Sequence, residues 1–460
     1  MAEPAVKLDT DGFEEEPLSP ALVRDILVAL DGANPDRVHE LVADLRPADL
    51  AELLDLVRQD ERRALIEILG ERLDAEVLSE LDEGVRDDVI ELLDPEGLAA
   101  ALQEMDSDDA VYFLEDMAAN DQQEILRQMP AADRAAIQQS LEYPDDSAGR
   151  IMQRDLVAVP PFWDVGQTID HMREAVELPE AFYEIFVVDP AYRPIGTVPL
   201  SRLLRTKRPV RIWEIMETEQ TLISVTTDRE EVAYKFNKYD LISAAVVDES
   251  GRLAGVITVD DIVEVISEEA SEDIGLLGGV GDETISDSVV TATRSRFSWL
   301  FVNLLTAILA SLVISIFDAT IGQMVALAVL MPIVASMGGN AGTQTMTIAV
   351  RALASKDLVP LNASRIITRE VTIGFLNGVM FAVIMGLIAG LWFENPPLGG
   401  VVAAAMVINL VVAGLAGIVI PLTLDRMKID PAIASGVFLT TVTDVIGFFA
   451  FLGLATVVLF

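Results

Sequence analysis

The sequence contains no cysteine, which excludes disulfides, thiolate metal sites and cysteine nucleophiles. Histidine is almost as scarce. Only His39 and His171 are present, both in stretches that read as soluble helix, so neither a His-based zinc site nor a Ser-His-Asp triad can be built. No catalytic group stands out, and the chain is not expected to be an enzyme. The first 20 residues are acidic and contain proline, with no apolar run behind a positive charge, so no ordinary secretory signal is expected. Positive charge is also short: 32 basic residues stand against 74 acidic ones, and lysine supplies only six of the 32. The imbalance is confined to one part. From Arg294 onward there are eight basic and seven acidic residues, which leaves 24 and 67 before it, a net charge of −43. A surface of that sign repels nucleic acid and anionic lipid headgroups and attracts cations. Solubility, or life in a salty cytoplasm, is the alternative reading.

At 460 residues the chain exceeds one core, so several domains are expected. Residues 1–19 read as a disordered acidic terminus. Residues 20–146 read as short amphipathic helices with apolar positions three and four apart, such as Leu50, Leu53, Leu54 and Val57. The joints Pro47-Ala48-Asp49, Pro95-Glu96-Gly97 and Pro130-Ala131-Ala132-Asp133 put proline and acids at helix starts, where both suit the free N–H groups. An all-α superhelical domain of stacked hairpins follows. Its exposed acids, Glu76 and the pair Asp108 and Asp109 among them, read individually as solvated face.

From Ser147 the texture changes to strands, and the stretch repeats itself. Ile151-Met152 returns as Ile215-Met216, Val187-Val188-Asp189 as Val246-Val247-Asp248, and Gly196-Thr197-Val198 as Gly255-Val256-Ile257. Residues 147–210 and 211–268 thus form two mixed α/β units, and the pair resembles tandem CBS domains. In that family a Thr-x-x-Asp after the second strand often holds an adenosine ribose. Here Thr258 and Asp261 match it, whereas the first unit has Ser201 and Leu204 at those places. The resemblance therefore implies at most a nucleotide site such as one for ATP in the second unit; a module that is structural, or that reads something else, stays open.

Asp260, Asp261, Glu264, Glu268, Glu269, Glu272 and Asp273 then crowd one helical run. Acids three and four apart share a face and repel by a few tenths of a kcal/mol per pair, roughly 0.2–0.5. A hard divalent cation would relieve this; a solvated acidic helix is the other reading. Gly275, Gly278, Gly279 and Gly281 mark a flexible joint, and 282–293 read as a polar helix leading into the membrane. Residues 269–296 are thus expected to connect the soluble part to a transmembrane domain, 297–460.

Five apolar stretches are long enough to span a bilayer: Trp299 to Phe317, Met324 to Val350, Val371 to Phe393, Val401 to Leu424 and Pro431 to Phe460. Arg294, Arg296, Arg351, Lys356, Arg365, Arg369, Arg426 and Lys428 all fall on the side of the soluble domains, which places that side in the cytoplasm and the C-terminus outside. In the second stretch, Met331 to Thr345, one proline, three glycines and a cluster of amides and hydroxyls predict irregular backbone lining an aqueous cavity or, alternatively, a small-residue packing surface. The fifth holds Asp444 roughly 20 Å along the helix from Pro431, near the bilayer midplane. A carboxylate there is either functional or polar glue between helices.

Gly338-Gly339-Asn340-Ala341-Gly342-Thr343-Gln344 and Thr443-Asp444-Val445-Ile446-Gly447 resemble the two signature stretches of the MgtE magnesium channels. The order of parts is similar too, over all but the first 20 residues. The resemblance implies a homodimer in the inner or plasma membrane with one cation pathway on its two-fold axis. Asp444 would coordinate a largely hydrated Mg2+, with backbone oxygens near Thr440 and Gly436 assisting and Asn340 shaping the pathway. Thr440 stands where family members often carry a smaller residue. The resemblance also implies a cytosolic Mg2+ sensor that closes the pathway. Its candidate ligands are Asp228, Glu230 and Asp240 in the second CBS unit, Asp261, Glu264, Glu269, Glu272 and Asp273 near the connecting helix, and Glu76 and Asp108 in the helical domain. A proton- or sodium-coupled divalent-cation transporter, or a membrane sensor that moves no ion, are the rivals. A His-Glu-x-x-His protease is excluded by the two histidines.

Overall fold

Prolines and aliphatic spacing set the rhythm of the first half. A computed structural model describes residues 18–460 apart from 71–72, 82, 94, 116, 176–177, 180, 282 and 284–288. The expected disordered segment 1–19 lies almost wholly outside the described residues, as does half of the expected polar helix 282–293. The chain divides into two units, one ending at Ile266 and the other starting at Ser267.

The first unit opens with helices α1 (Pro20–Asp31), α2 (Pro35–Leu41), α3 (Pro47–Leu56), α4 (Gln59–Leu69), α5 (Ala75–Ser79), α6 (Glu83–Leu92), α7 (Pro95–Glu104), α8 (Ser107–Glu115), α9 (Ala119–Gln128) and α10 (Ala131–Leu141). Pro47 and Pro95 take the first helical position, where a missing N–H leaves nothing unpaired, while Pro130 is the residue just outside α10. Leu50, Leu53, Leu54 and Val57 are all buried, in one core with Ile26, Leu65, Val85, Leu98 and Phe113. An ion pair lies inside it: the Arg62 guanidinium meets Asp88 at 2.6 Å and donates to the Leu54 carbonyl at 2.8 Å.

Two α/β units complete this half. The first contains β1 (Ala158–Val159), α11 (Val165–Glu174), β2 (Glu184–Val188), β3 (Pro194–Pro199) and α12 (Leu200–Arg205), followed by α13 (Ile212–Ile215). The second contains β4 (Leu222–Ser224), α14 (Arg229–Tyr239), β5 (Ser243–Val247), β6 (Leu253–Thr258) and α15 (Val259–Gly278). Both sheets have the same topology, a parallel pair followed by an antiparallel one. The repeated Ile-Met and Gly positions now have a reason. Gln153 bridges to Val256 of the second sheet and Glu217 to Thr197 of the first. A Cβ at Gly255 would lie 2.5 Å from the Gln153 carbonyl and 2.9 Å from the Met152 sulfur; one at Gly196 would lie 2.6 Å from the Glu217 carbonyl and 3.2 Å from the Met216 sulfur. Each unit thus crosses a segment onto the glycine edge of the other.

The acidic run 260–273 lies on one helix, since α15 continues unbroken to Gly278. The chain turns only afterwards, at Gly279 and Gly281 with φ of +73° and +64°. Gly275 and Gly278 are therefore helical rather than part of a loose joint.

The second unit is built on α16 (Val289–Ile316), α17 (Asp318–Gln323), α18 (Ala326–Ala354), α19 (Ala363–Trp392), α20 (Pro396–Arg426) and α21 (Pro431–Leu459). All but α17 are long and apolar enough to cross a membrane. The expected irregular backbone in the second span is not observed: α18 is continuous through Pro332 and the three glycines. Pro332 sits in its second turn, where one lost N–H frees a single carbonyl, and the glycines keep their N–H groups, which lipid forces into the helix ladder. The tightest packing is between α19 and α20. Gly374, Gly378, Ala382, Gly386 and Gly390 recur every fourth residue, and a Cβ at Gly374 would lie 2.5 Å from the Leu410 carbonyl. Such small-residue stripes let helix backbones approach closely.

Candidate functional site

Two sets of polar groups are assembled, one in each unit. In the first, α8 begins with Asp108 and Asp109, and α15 begins beneath β6 with Asp260 and Asp261. Folding places these helix starts together. Asp108 is buried, and its Oδ1 has no hydrogen-bond partner. Its carboxyl is pushed well up, chiefly by burial and then by the charges of Asp261 and Asp109. Burial, with Asp106, Asp261 and Glu264, raises Asp109 to about 7. Asp261 is raised by burial as well, against the pull of two hydrogen bonds from Thr258, the hydroxyl at 2.7 Å and the backbone N–H at 3.1 Å. Three of the predicted sensor residues, Asp108, Asp261 and Glu264, are thus brought together. Glu76 lies close by, in an open cleft of roughly 380 Å3 that it lines with Asp74, Glu104, Asp106 and Asp109.

Two other predicted ligands, Asp228 and Asp240, are not brought together. Asp228 caps the start of α14, accepting from the Glu230 N–H at 3.0 Å, while Asp240 ends the same helix in a left-handed conformation. The length of α14 holds them about 18 Å apart, too far to share an ion. Glu269 and Glu272 lie half-buried on the distal part of α15. Asp273 faces an acid that the sequence reading missed: burial and the charge of Asp430, the cap of α21, raise its carboxyl. Leu276 and Leu277, just beyond it, pack on Met346, Ala432 and Leu439 of the bundle. Among the described residues no group of three or more His, Asp or Glu side chains is arranged to hold a metal ion directly. What the acids offer is one or two carboxylates at a time, the arrangement a water-retaining Mg2+ takes.

Thr258 also lines a narrow cleft of about 20 Å3 with Asp155, Tyr183, Glu184 and Phe186. Glu184 accepts from the Ser243 hydroxyl at 3.0 Å. Among the described residues none of those lining this cleft is basic, and the Asp261 carboxylate is engaged by Thr258.

In the second unit Gly436, Thr440 and Asp444 recur every fourth residue along α21 and share one face. Asp444 is half-buried and Thr440 exposed; the Thr440 hydroxyl donates to the Gly436 carbonyl at 3.0 Å, which engages one of the backbone oxygens expected to assist. On α18 the exposed positions Ser336, Asn340, Gln344 and Thr347 form a polar stripe. Two buried groups of the spans were overlooked in the sequence. Glu370 accepts from Arg369 at 3.0 Å and lies 3.5 Å from the Thr345 hydroxyl, and Asn409 is fully buried. Both were visible as the lone acid of one long helix and the lone amide of the next.

Five helices long and apolar enough to span a membrane, with polar stripes and joined to a paired α/β module, are the parts of a membrane transport protein. The chain matches three families, described as a divalent cation transporter over residues 331–454, the MgtE intracellular N domain over 45–146 and the CBS domain over 212–268. The magnesium transporter MgtE of Enterococcus faecalis is 32% identical over 320 residues, 70% of this chain and 71% of that one. Its namesake from Thermus thermophilus is 33% identical over 327 residues, 70% and 72% of the two chains. A crystal structure of the cytosolic domain of the Mg2+ channel MgtE in complex with ATP aligns at 30% identity with a TM-score of 0.49, covering 53% of this chain and 99% of that one. This chain belongs to the MgtE family of magnesium transporters.

Proposed function

We propose that the chain is a homodimeric, voltage-driven Mg2+ channel of the cell membrane, with its soluble domains in the cytoplasm, its C-terminus outside, and a pathway that closes when cytosolic Mg2+ is high. The observation that carries this reading is the face of α21 bearing Gly436, Thr440 and Asp444, with one carboxylate per chain at membrane depth. A polar face turned to lipid is unfavourable, because nothing there satisfies it. Together with the exposed Ser336, Asn340, Gln344 and Thr347 of α18 it is best covered by a second copy, which would bring two Asp444 carboxylates to one axis. Mg2+ dehydrates reluctantly and suits a few carboxylates and waters.

Closure rests on the acids of the soluble part. A cation between Asp108 and Asp261 would hold the helical domain on the second α/β unit, and one between Asp273 and Asp430 would hold the end of α15 on the start of the pore helix. Without the ion the same carboxylates repel. Mg2+ then shifts the equilibrium by its differential affinity for the compact arrangement. The basic residues of the loops, from Arg294 to Lys428, support the cytoplasmic assignment of that side.

The test is Mg2+ flux into liposomes holding purified protein, with soluble-side Mg2+ at zero or at millimolar concentration. Flux suppressed by soluble-side Mg2+ and abolished by Asp444→Ala is the expected result. Flux that follows an imposed pH or sodium gradient at fixed voltage would instead establish a coupled transporter, and absence of any flux a sensor.

A further inference from the structure

Asn409 is the one amide of α20 and is fully buried, inside a span that is otherwise apolar through the membrane. Its Nδ2 donates to the Val334 carbonyl of α18 at 2.8 Å, while its Oδ1 has no hydrogen-bond partner. The space for this amide is made by two glycines. A Cβ at Gly338 would lie 2.2 Å from Asn409 Nδ2 and 2.9 Å from Oδ1, and a Cβ at Gly447 would lie 2.8 Å and 3.2 Å from the same atoms. Gly338 is two residues before Asn340 on α18, and Gly447 is three residues after Asp444 on α21. One buried amide of the fourth span therefore fills a notch in each of the two polar helices. If α20 served only as packing, an aliphatic side chain would fill that space without leaving an acceptor unsatisfied, which is costly in lipid.

We propose that Asn409 is a positioning residue for the cation pathway: wedged between Gly338 and Gly447, it sets the register of α18 against α21, and with it the placement of Asn340 and Asp444. This inference rests on the pore reading given above. The wedge acts through shape and through one directional bond. Filling either glycine notch forces the amide out, and shortening the side chain releases both helices.

The experiment is a double-mutant cycle in proteoliposomes with Asn409→Ala, Gly447→Ala and the two combined, together with Asp444→Ala, each checked for dimer assembly by size-exclusion chromatography. Readouts are maximal Mg2+ flux, the Mg2+ concentration for half-maximal flux, and the ratio of Mg2+ to Ca2+ flux. Asn409→Ala is expected to assemble normally but to shift the half-maximal concentration and the flux ratio by at least about threefold. Gly447→Ala is expected to lose flux, and Asn409→Ala in the same chain to restore it toward the Asn409→Ala level, because the clashing amide is gone. Should Gly447→Ala fail to assemble, Gly338→Ala supplies the second arm, and the concentration and ratio shifts of Asn409→Ala alone decide. Wild-type concentration dependence and selectivity in Asn409→Ala, or equal damage from the glycine substitution in both backgrounds, overturns the proposal while an inactive Asp444→Ala leaves the pore reading standing. Undiminished flux in Asp444→Ala removes that reading, and this inference with it.

Discussion

Where α8 meets α15, the first unit crowds Asp108, Asp109 and Asp261 until their carboxyls are pushed upward by burial and by neighbouring acids, the charge of Glu264 acting on Asp109 among them. In the membrane unit the α21 face offers a single carboxylate, Asp444, among hydroxyls and backbone, and the neutral amide of Asn409 is buried against Gly447, three residues further along the same helix. On the function proposed above, the contrast follows from what each place would have to do with the same ion. A sensor has to feel its absence, so it holds charges that repel strongly when bare. A conduction site must let the ion leave, and binding that is too favourable stops conduction. Crowded acids suit the first task and sparse polar groups the second.

Removing the sparse charge is the harshest way to break this comparison. Asp444→Ala should lower Mg2+ flux by more than about 100-fold, beyond the roughly 10–100-fold typical of losing a mere supporting partner of a metal ligand. A loss of only a few-fold would place Asp444 among the packing groups. Neutralising the crowded set should act differently. Asp108→Asn with Asp261→Asn removes both the repulsion and the ligands, so the Mg2+ midpoint for closure should move by roughly tenfold while maximal flux stays near wild type. An unchanged midpoint would show that these acids do not report Mg2+.

Proton concentration gives a milder probe of the same cluster. Asp109 titrates at about 7 in the folded chain against an ordinary value of 3.8. A raised carboxyl favours the protonated, compact arrangement, so its stabilising contribution is complete below the ordinary value and is lost as pH rises through about 7. In the absence of Mg2+, protease protection of the soluble part should therefore fall between about pH 4 and pH 7, and added Mg2+ should flatten that fall. Protection that rises with pH in Mg2+-free buffer would contradict the cluster's role. Asp444, alone on its face, gives the soluble part no such dependence.

How much of this was legible in the sequence differs between the two regions for physical reasons. The spans, the paired α/β units and the acid-rich helix were readable because apolar length, internal repetition and charge density are local properties. The Ile-Met and Gly repeats were visible as letters, yet their cause, each unit laying a segment on the glycine edge of the other, is a long-range contact. The sequence named Asp108 and Asp261 separately and could not show that 153 residues of chain fold back to bring them together. Proline and glycine in the second span suggested broken backbone, but the membrane's demand for internal hydrogen bonds outweighed local propensity and α18 is continuous. Asn409 and Asp430 carried weaker signals, a lone amide in an apolar span and an acid before a proline, and only packing shows what each faces.

The smallest effect, and the one that separates two uses of a single side chain, comes from Thr258. Asp261 belongs to the acidic cluster, yet its Oδ2 also caps the start of α15 by accepting from the Thr258 hydroxyl and backbone N–H. Thr258→Val keeps the shape and the backbone bond and removes only the hydroxyl, a loss of about 1 kcal/mol at a helix start. Thermal stability of the soluble part should drop by a few degrees, since about 1 kcal/mol moves the midpoint of a domain of this size by roughly 2–4 °C. The Mg2+ midpoint should hardly move, because the carboxylate and its neighbours Asp108 and Asp109 remain. A large shift in that midpoint would mean that the hydroxyl, by fixing the carboxylate's orientation, is itself part of how the cluster reads Mg2+.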